Sequence, residues 1–204
     1  MRKTFVFLFI LILSQAASAV SFRCGIKGGV TFGKIYGAFD YSLVNLDKKS
    51  NIGFIGGVLV HGQISDNFVL AGEADFIQKG VKGEGEYLGI GIRTRLLTEY
   101  LQVNVSGKYL LSEIFGLYAG LGTGYLVKAE LTAEVDGGSE ETQDVMDYYR
   151  PIEISILGGA QLIISKNSLI DLRYEEGLTN LRSGDEEGAR EKSKTLSLSI
   201  GYLF

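Results

Sequence analysis

The last ten residues of the chain, 195–204, form the pattern that most constrains the fold. Small or polar residues alternate with apolar ones up to Gly201, and the apolar set consists of Leu196, Leu198, Ile200, Tyr202 and Phe204. Strict alternation predicts a β-strand with one apolar face. Because both edges of a strand need hydrogen-bonding partners, a terminal strand of this kind is best accommodated in a closed barrel, where it pairs with the first strand.

The same alternation recurs in seven further segments of the chain. They begin near Phe22, Ile52, Phe68, Leu101, Leu117, Ile152 and Ile170. Their connections alternate between long polar segments (34–50, 80–97, 132–148 and 177–194) and short turns near 65–67, 112–115 and 165–167. This arrangement predicts an all-β fold, an eight-stranded antiparallel up-and-down transmembrane β-barrel of the outer-membrane type.

Alternation alone leaves open which face points into the barrel. A soluble lipocalin-like barrel would turn its apolar face inward. About five large apolar side chains per strand are too many for the interior of an eight-stranded barrel, which is filled by its own side chains or holds one small ligand. The opposite face is rich in Gly with scattered charges. We therefore expect the polar face to point inward and the apolar face to contact lipid.

Eleven charged residues lie on the predicted inward face. They are Arg23, Lys27, Glu73, Asp75, Lys108, Lys128, Glu130, Glu153, Asp171, Arg173 and Glu175. Charges are costly to bury unless they are paired, so the sequence predicts an ion-pair network that plugs the lumen. A narrow pore that uses these charges for ion selectivity is the alternative, although eight strands leave little room for one.

The amino terminus has the pattern of a secretory signal peptide. Arg2 and Lys3 precede the apolar run Phe5–Leu13, and small residues follow at 17–19. We predict a signal peptide at 1–19 and a barrel domain at 20–204. Secretion together with the connection lengths predicts that both termini and the short turns lie in the periplasm, with the long segments outside.

Composition and motif spacing argue against several functions. The net charge of −4 disfavours nucleic acid as a partner. The single cysteine, Cys24, allows no intramolecular disulfide, and we expect it to pack on the apolar face of the first strand. The acidic segment 132–148 lacks the spacing of a calcium-binding loop, so we expect a solvated, mobile loop with a divalent-cation site as the alternative. We predict neither a metal nor a cofactor.

His61 is the only histidine and hence the only side chain with an ordinary pKa near neutrality. It lies on the inward face near a short turn. A barrel that modifies lipid would need a catalytic histidine and serine facing lipid at the other end. We therefore expect His61 to be a hydrogen-bonded lumen residue and predict no catalytic residues.

Aromatic side chains in the first long segment are candidates for an interaction surface, because exposed aromatics often anchor interfaces. They are Tyr36, Phe39 and Tyr41. The alternative is that they mark the rim of the barrel, near the lipid headgroups.

Several segments together resemble the PorT-like outer-membrane β-barrel domain of Bacteroidetes-type bacteria. They are Gly25–Gly29, Gln78–Gly80, Tyr100–Val103, Leu117–Gly122, Arg173-Tyr174 with Gly177–Asn180, and Ser197–Phe204. Asn104 departs from the family, which often has Pro near this position. Tyr202 and Phe204 also resemble the terminal signal that barrel-assembly machinery recognises.

From the residues we expect a non-enzymatic outer-membrane barrel surrounded by lipid, a structural or interaction protein that displays surface loops to a protein partner. The resemblance implies the alternative role, an accessory component of a protein secretion or assembly machine, because a few similar members of the family are linked to protein secretion across the outer membrane. Similarity of fold does not by itself transfer either role.

Overall fold

The computed structural model describes residues 21–37, 47–87, 90–136, 138–183 and 191–204. The predicted signal peptide lies outside the described residues, as do Phe39 and Tyr41. No helix in the described ranges is long and apolar enough to cross a membrane.

Nine strands occur in the described part of the chain. They are β1 (Ser21–Tyr36), β2 (Asp47–Ser65), β3 (Phe68–Tyr87), β4 (Ile90–Leu110), β5 (Phe115–Val135), β6 (Glu141–Asp144), β7 (Ile152–Ile163), β8 (Ser168–Gly177) and β9 (Lys192–Leu203). A short 3-10 turn spans Met146–Tyr148. All strands except β6 form a closed ring, in which β5 pairs with both β4 and β7, and β9 pairs with β1. The prediction of an eight-stranded antiparallel barrel is confirmed.

The two faces of each strand differ in polarity as the alternation predicts. In β9, Ser197 and Ser199 are buried in the interior, whereas Leu198 and Ile200 are exposed on the outside. The same division occurs in β1, β2 and β4. The barrel is therefore apolar outside, which excludes the lipocalin-like alternative.

The strands on one side of the barrel are longer than those on the opposite side. Strands β2–β5 have 19 to 21 residues, whereas β7–β9 have 10 to 12. The long polar segment 80–97 is mostly strand, because β3 and β4 remain paired from Gly80–Leu97 up to Tyr87–Ile90. We use "loop end" for the end of the barrel with this extension and "turn end" for the end with the short turns.

A β-bulge in β5 reverses which side chains point inward. Tyr100 pairs with Leu126 but Glu99 pairs with Lys128, so Val127 is an extra residue. Beyond an extra residue the alternation shifts by one position. The prediction that Lys128 and Glu130 lie inside is therefore wrong; they form an ion pair on the outer face, with 2.9 Å between the Lys128 Nζ and Glu130 Oε1 atoms.

Apolar side chains fill the interior at the loop end, which the sequence reasoning did not predict. This apolar plug consists of Ile35, Ile55, Ile77, Val81, Leu96, Tyr100, Leu126, Ala129, Val145 and Leu181. Most members come from the strands, but Val145 comes from the connection that precedes β7 and Leu181 from the connection that follows β8. Through Val145 and Leu181, these connections become part of the apolar core that closes the loop end.

Backbone hydrogen bonds join the two connections above the plug. The Arg150 amide donates to the Leu181 carbonyl at 2.7 Å, and the Ser183 amide donates to the Tyr148 carbonyl at 2.8 Å. The Tyr149 hydroxyl donates to Glu191 at 3.0 Å. Burial, together with the Glu191 carboxylate, raises the pKa of the Tyr149 hydroxyl, so it remains a neutral donor. The described parts of these connections, 145–151 and 178–183, form an ordered cap.

Glycines on the inner wall make room for neighbouring strands and charged side chains. A Cβ added to Gly57 would collide with the Ala74 carbonyl oxygen and the Asp75 carboxylate. The adjacent Gly56 points outward, and the nearest atom to its added Cβ would be the Lys27 carbonyl oxygen at 3.8 Å.

We expect Gly57→Ala to destabilise the barrel by about 1–3 kcal/mol through overpacking. Gly56→Ala is the matched control, because it adds the same methyl group to the same strand on the open face. Urea unfolding of both variants in lipid vesicles measures the difference in stability. The folded fraction is read from the difference in gel mobility between the folded and the unfolded barrel. Equal stabilities would contradict the account of the crowded inner wall.

Candidate functional site: the charged interior

Below the apolar plug, Glu73 is the centre of a buried ion-pair cluster. Its carboxylate lies 2.7 Å from Lys27 Nζ and 2.5 Å from Arg173 Nη2, with Lys108 Nζ at 3.7 Å. Asp75 shares two of these cations, with Lys27 Nζ at 2.8 Å and Arg173 Nη1 at 3.7 Å. Strands β1, β3, β4 and β8 are thereby linked across the barrel.

A second ionic cluster lies around Lys79. Its ammonium group contacts Glu153 at 2.8 Å and Glu175 at 2.6 Å, and the Ser193 hydroxyl also donates to Glu153. The three charged side chains belong to β3, β7 and β8. All are almost completely shielded from solvent.

Side-chain amides connect the two clusters. Gln102 Nε2 donates to Glu175 at 2.9 Å and to Asn104 Oδ1 at 2.8 Å. Asn104 Nδ2 in turn donates to Asp75 at 3.0 Å. The Asn104 side chain therefore forms part of the polar interior.

Tyr118 supports the cluster from β5. Its hydroxyl donates to Asp171 at 2.9 Å and accepts from Arg173 Nε at 3.2 Å. The Lys108 Nζ atom and the Arg173 guanidinium carbon lie 5.1 Å and 5.7 Å from the centroid of its ring. Cation–π contacts of this kind stabilise a desolvated cation without adding a counter-charge.

The buried charges nearly balance. Within the described ranges, the strand residues of the interior supply four buried cations and five buried carboxylates. The cations are Lys27, Lys79, Lys108 and Arg173, and the carboxylates are Glu73, Asp75, Glu153, Asp171 and Glu175. Because each charge has opposite charges or hydrogen-bond donors around it, the penalty of removing it from water is offset.

The structure distributes the sequence-predicted charges among three locations. Eight of them lie in the two clusters, Arg23 is partly buried at the turn end, and Lys128 and Glu130 lie outside. Sequence reasoning missed Lys79, although it follows Glu73 and Asp75 at even spacing on β3. Tyr118, Gln102 and Asn104 alternate with apolar residues in the sequence, which indicates an inward position, but their roles as partners of charged groups required the cross-barrel geometry.

His61 points into the interior at the turn end and is buried. Lys108 Nζ lies 3.0 Å from His61 Nε2 and 3.0 Å from Gln161 Oε1. Since an ammonium group can only donate, Nε2 is the acceptor and the proton of the neutral ring is on Nδ1. Among the hydrogen bonds of the described residues, none joins His61 to a serine or a carboxylate.

The described part of the acidic segment is largely exposed to solvent, as expected, and it also contains regular structure. It contains the end of β5, the strand β6 and the 3-10 turn. Arg93 pairs with Glu134 at 3.3 Å and with Asp136 at 2.7 Å. No group of His, Cys, Asp or Glu side chains in the described ranges is arranged to hold a metal ion.

The remaining predicted residues that the structure describes lie on the outer face. Tyr36 ends β1 at the loop end, half exposed, and Lys194 Nζ lies 4.7 Å from the centroid of its ring. Tyr202 and Phe204 are exposed near the turn end, with 5.5 Å between ring centroids. Cys24 is exposed on the outer face of β1.

Comparisons with known proteins agree with this architecture. The profile of the family described as outer membrane protein beta-barrel domain matches residues 14–183. Among solved structures, the chain is similar to Ail, the attachment invasion locus protein of Yersinia pestis, with a TM-score of 0.50 and 19% identity over 89% of this chain and 98% of that one. It is also similar to Neisserial surface protein A, with a TM-score of 0.45 and 15% identity over 91% and 99% of the two chains. A search of curated proteins found no significant match.

We expect Lys79→Met to lower the free energy of unfolding by about 3–5 kcal/mol, because it leaves Glu153 and Glu175 buried without their shared cation. Lys128→Met is the matched control, since it breaks an ion pair on the exposed outer face and should leave the urea midpoint unchanged. Urea unfolding in lipid vesicles measures both. A Lys79→Met barrel as stable as the parent would show that the second cluster contributes no net stability.

Proposed function

We propose that this chain, which belongs to the outer membrane protein beta-barrel domain family, is a non-conducting barrel that presents its loop end as an interaction surface. The observation that carries the proposal is the filled interior. From the loop end inward, a continuous path would have to pass the cap, the apolar plug and two ionic clusters. A permeant ion would have to displace paired charges in a space already filled by side chains.

The orientation is part of the proposal. We place the turn end and both termini in the periplasm and the loop end outside the cell. The short turns at one end of the barrel and the strand extension at the other end support this orientation, because outer-membrane barrels have short periplasmic turns and longer extracellular loops. The exposed Tyr202 and Phe204 at the turn end would then be available to barrel-assembly machinery, and the apolar outer face would contact membrane lipid.

The surface proposed for partner binding is the cap, not the segment after β1. Tyr148 is 64% exposed, and Met146 and Leu178 are also exposed apolar residues of the cap region. Tyr148 lies in a segment that is fixed by backbone hydrogen bonds to 181–183. An exposed aromatic on a fixed backbone is a suitable interface anchor, because little conformational entropy is lost on binding.

The second candidate function is an accessory role in a protein secretion or assembly machine. Its support is the resemblance of the six segments to PorT-like barrels. Such a partner would be expected to engage the turn end, on the side where exported proteins arrive. Both candidates are non-enzymatic, and the neutral, lysine-bound His61 favours that assignment.

We expect the purified barrel to show no stable conductance in planar lipid bilayers. The physical reason is the filled interior rather than a mobile gate, so changing the membrane voltage should not open it. A porin reconstituted under the same conditions provides the positive control. Long-lived, large current steps that require the folded protein would overturn the closed-barrel proposal.

The two candidate functions predict different crosslinking sites. A photoreactive phenylalanine analogue replaces Tyr148 at the cap in one variant and Ser165 at the turn end in the other, and crosslinking is performed in intact cells. Stoichiometric crosslinks from position 148 to a surface or host protein support the display role. Stoichiometric crosslinks from position 165 to a periplasmic or envelope protein support the machine role and contradict the first proposal.

A further inference from the structure

The barrel has an open cleft at its turn end, separate from the two ionic clusters. Its volume is about 110 Å³, and its walls come from the ends of β1–β4 and β7–β9 and from the turn between β7 and β8. The polar or charged side chains that matter for its chemistry are Arg23, His61, Lys108, Gln161, Lys166 and Asn167.

The lining of this cleft has one sign of charge. Arg23, Lys108 and Lys166 are cationic, and none of the lining residues is Asp or Glu. Of these cations, Lys108 has a carboxylate, Glu73, at 3.7 Å on its inner side. Among the ion pairs of the described residues, none involves Arg23 or Lys166, so two cations at the cleft lack a counter-charge. This differs from the deeper interior, where the charges nearly balance.

The cleft is built on an ordered frame. The Leu203 carbonyl accepts from Asn167 Nδ2 at 2.5 Å and from Arg23 Nη2 at 3.4 Å. The Leu203 amide donates to the Asn167 carbonyl at 2.7 Å. Within the turn, the Ser165 hydroxyl accepts from the Ser168 amide at 3.1 Å. The turn that carries Lys166 is therefore held against the carboxy-terminal strand.

Lys108 and His61 supply a buried polar wall. Lys108 is 4% exposed and donates to both His61 Nε2 and Gln161 Oε1. This contact leaves the Nδ1–H of the neutral imidazole as a donor. Among the described residues, no acceptor for that donor is found. A cleft lined by cations and by a free N–H group offers charge-assisted hydrogen bonds to an anion.

We propose that the turn-end cleft binds an oxyanion of the size of phosphate or a carboxylate. A cleft of about 110 Å³ has room for one such group. Arg23 and Lys166 would provide the attraction, while His61 would donate at the inner wall. The proposal concerns the isolated barrel and holds whichever way the barrel faces, so it is independent of the interaction surface proposed above.

The single histidine of the chain makes the test direct. The barrel is prepared without a histidine tag in a non-ionic glucoside detergent, so that the solvent contains no phosphate. The NMR resonances of the His61 ring are followed at constant pH during titration with sodium phosphate, sodium acetate or sodium chloride at matched ionic strength. We expect a saturable shift with an oxyanion and none with chloride.

The two oxyanions distinguish the source of the ligand. A larger response to phosphate would identify a phosphate-bearing ligand, and a larger response to acetate would identify a carboxylate-bearing one. Equal, non-saturating shifts with all three salts would be a screening effect and would overturn the proposal. The absence of any shift would overturn it as well.

Variants distinguish oxyanion binding in the cleft from a general effect of the protein's charge. We expect Arg23→Gln and Lys166→Gln each to weaken oxyanion binding about fivefold, the factor expected for loss of one partly exposed charge contact. Lys82→Gln at the loop end removes the same charge far from the cleft and should leave binding unchanged. Lys166 lies in an exposed turn, so its variant tests the proposal even if Arg23→Gln fails to fold. Equal affinity in Lys166→Gln and the parent would overturn it.

Discussion

The pairing of β1 with β9 is the constraint on which the rest of the structure depends. Twelve residue pairs, from Gly25–Leu203 to Tyr36–Lys192, join the two ends of the chain and leave the eight-stranded ring without an open edge. In a bilayer this closure is required, because no water is present to satisfy an unpaired backbone edge. Once the ring is closed, every strand must alternate between lipid and lumen, and the period of two then determines the polarity of nearly every side chain.

Because the ring closes with only eight strands, the side chains of the interior must pack closely. Large charged side chains are accommodated because glycines occupy much of the inner wall, as Gly57 does beside Asp75. The charges are then too close to one another and too far from water to remain unpaired, so Glu73 and Lys79 each collect two or more partners from distant strands. The small residues of the inner wall therefore provide the space that the paired charges occupy.

The interior changes character along its length. At the loop end it contains the apolar plug, which the cap covers. In the middle it contains the two ionic clusters, whose charges nearly balance, and at the turn end it opens into the cationic cleft. The first two regions fill the interior, and this filling supports the proposal of a closed barrel that functions through its two ends. The cap and the cleft are the places where we propose recognition, because exposed apolar side chains of the cap and cationic side chains of the cleft meet solvent there.

The sequence by itself determined the strand count, the antiparallel order and the assignment of faces, because period-two alternation and connection length are local properties of the chain. It also placed Glu73, Asp75 and Arg173 on the inner face. Only the tertiary structure decided the rest. The bulge at Val127, which moves Lys128 and Glu130 outside, depends on a register that β4 imposes. The loop-end plug requires Val145 and Leu181 to fold back onto strands far away in sequence. Which cation meets which carboxylate is likewise set by the closure of the ring, since most of these partners lie on strands that are not hydrogen-bonded to each other.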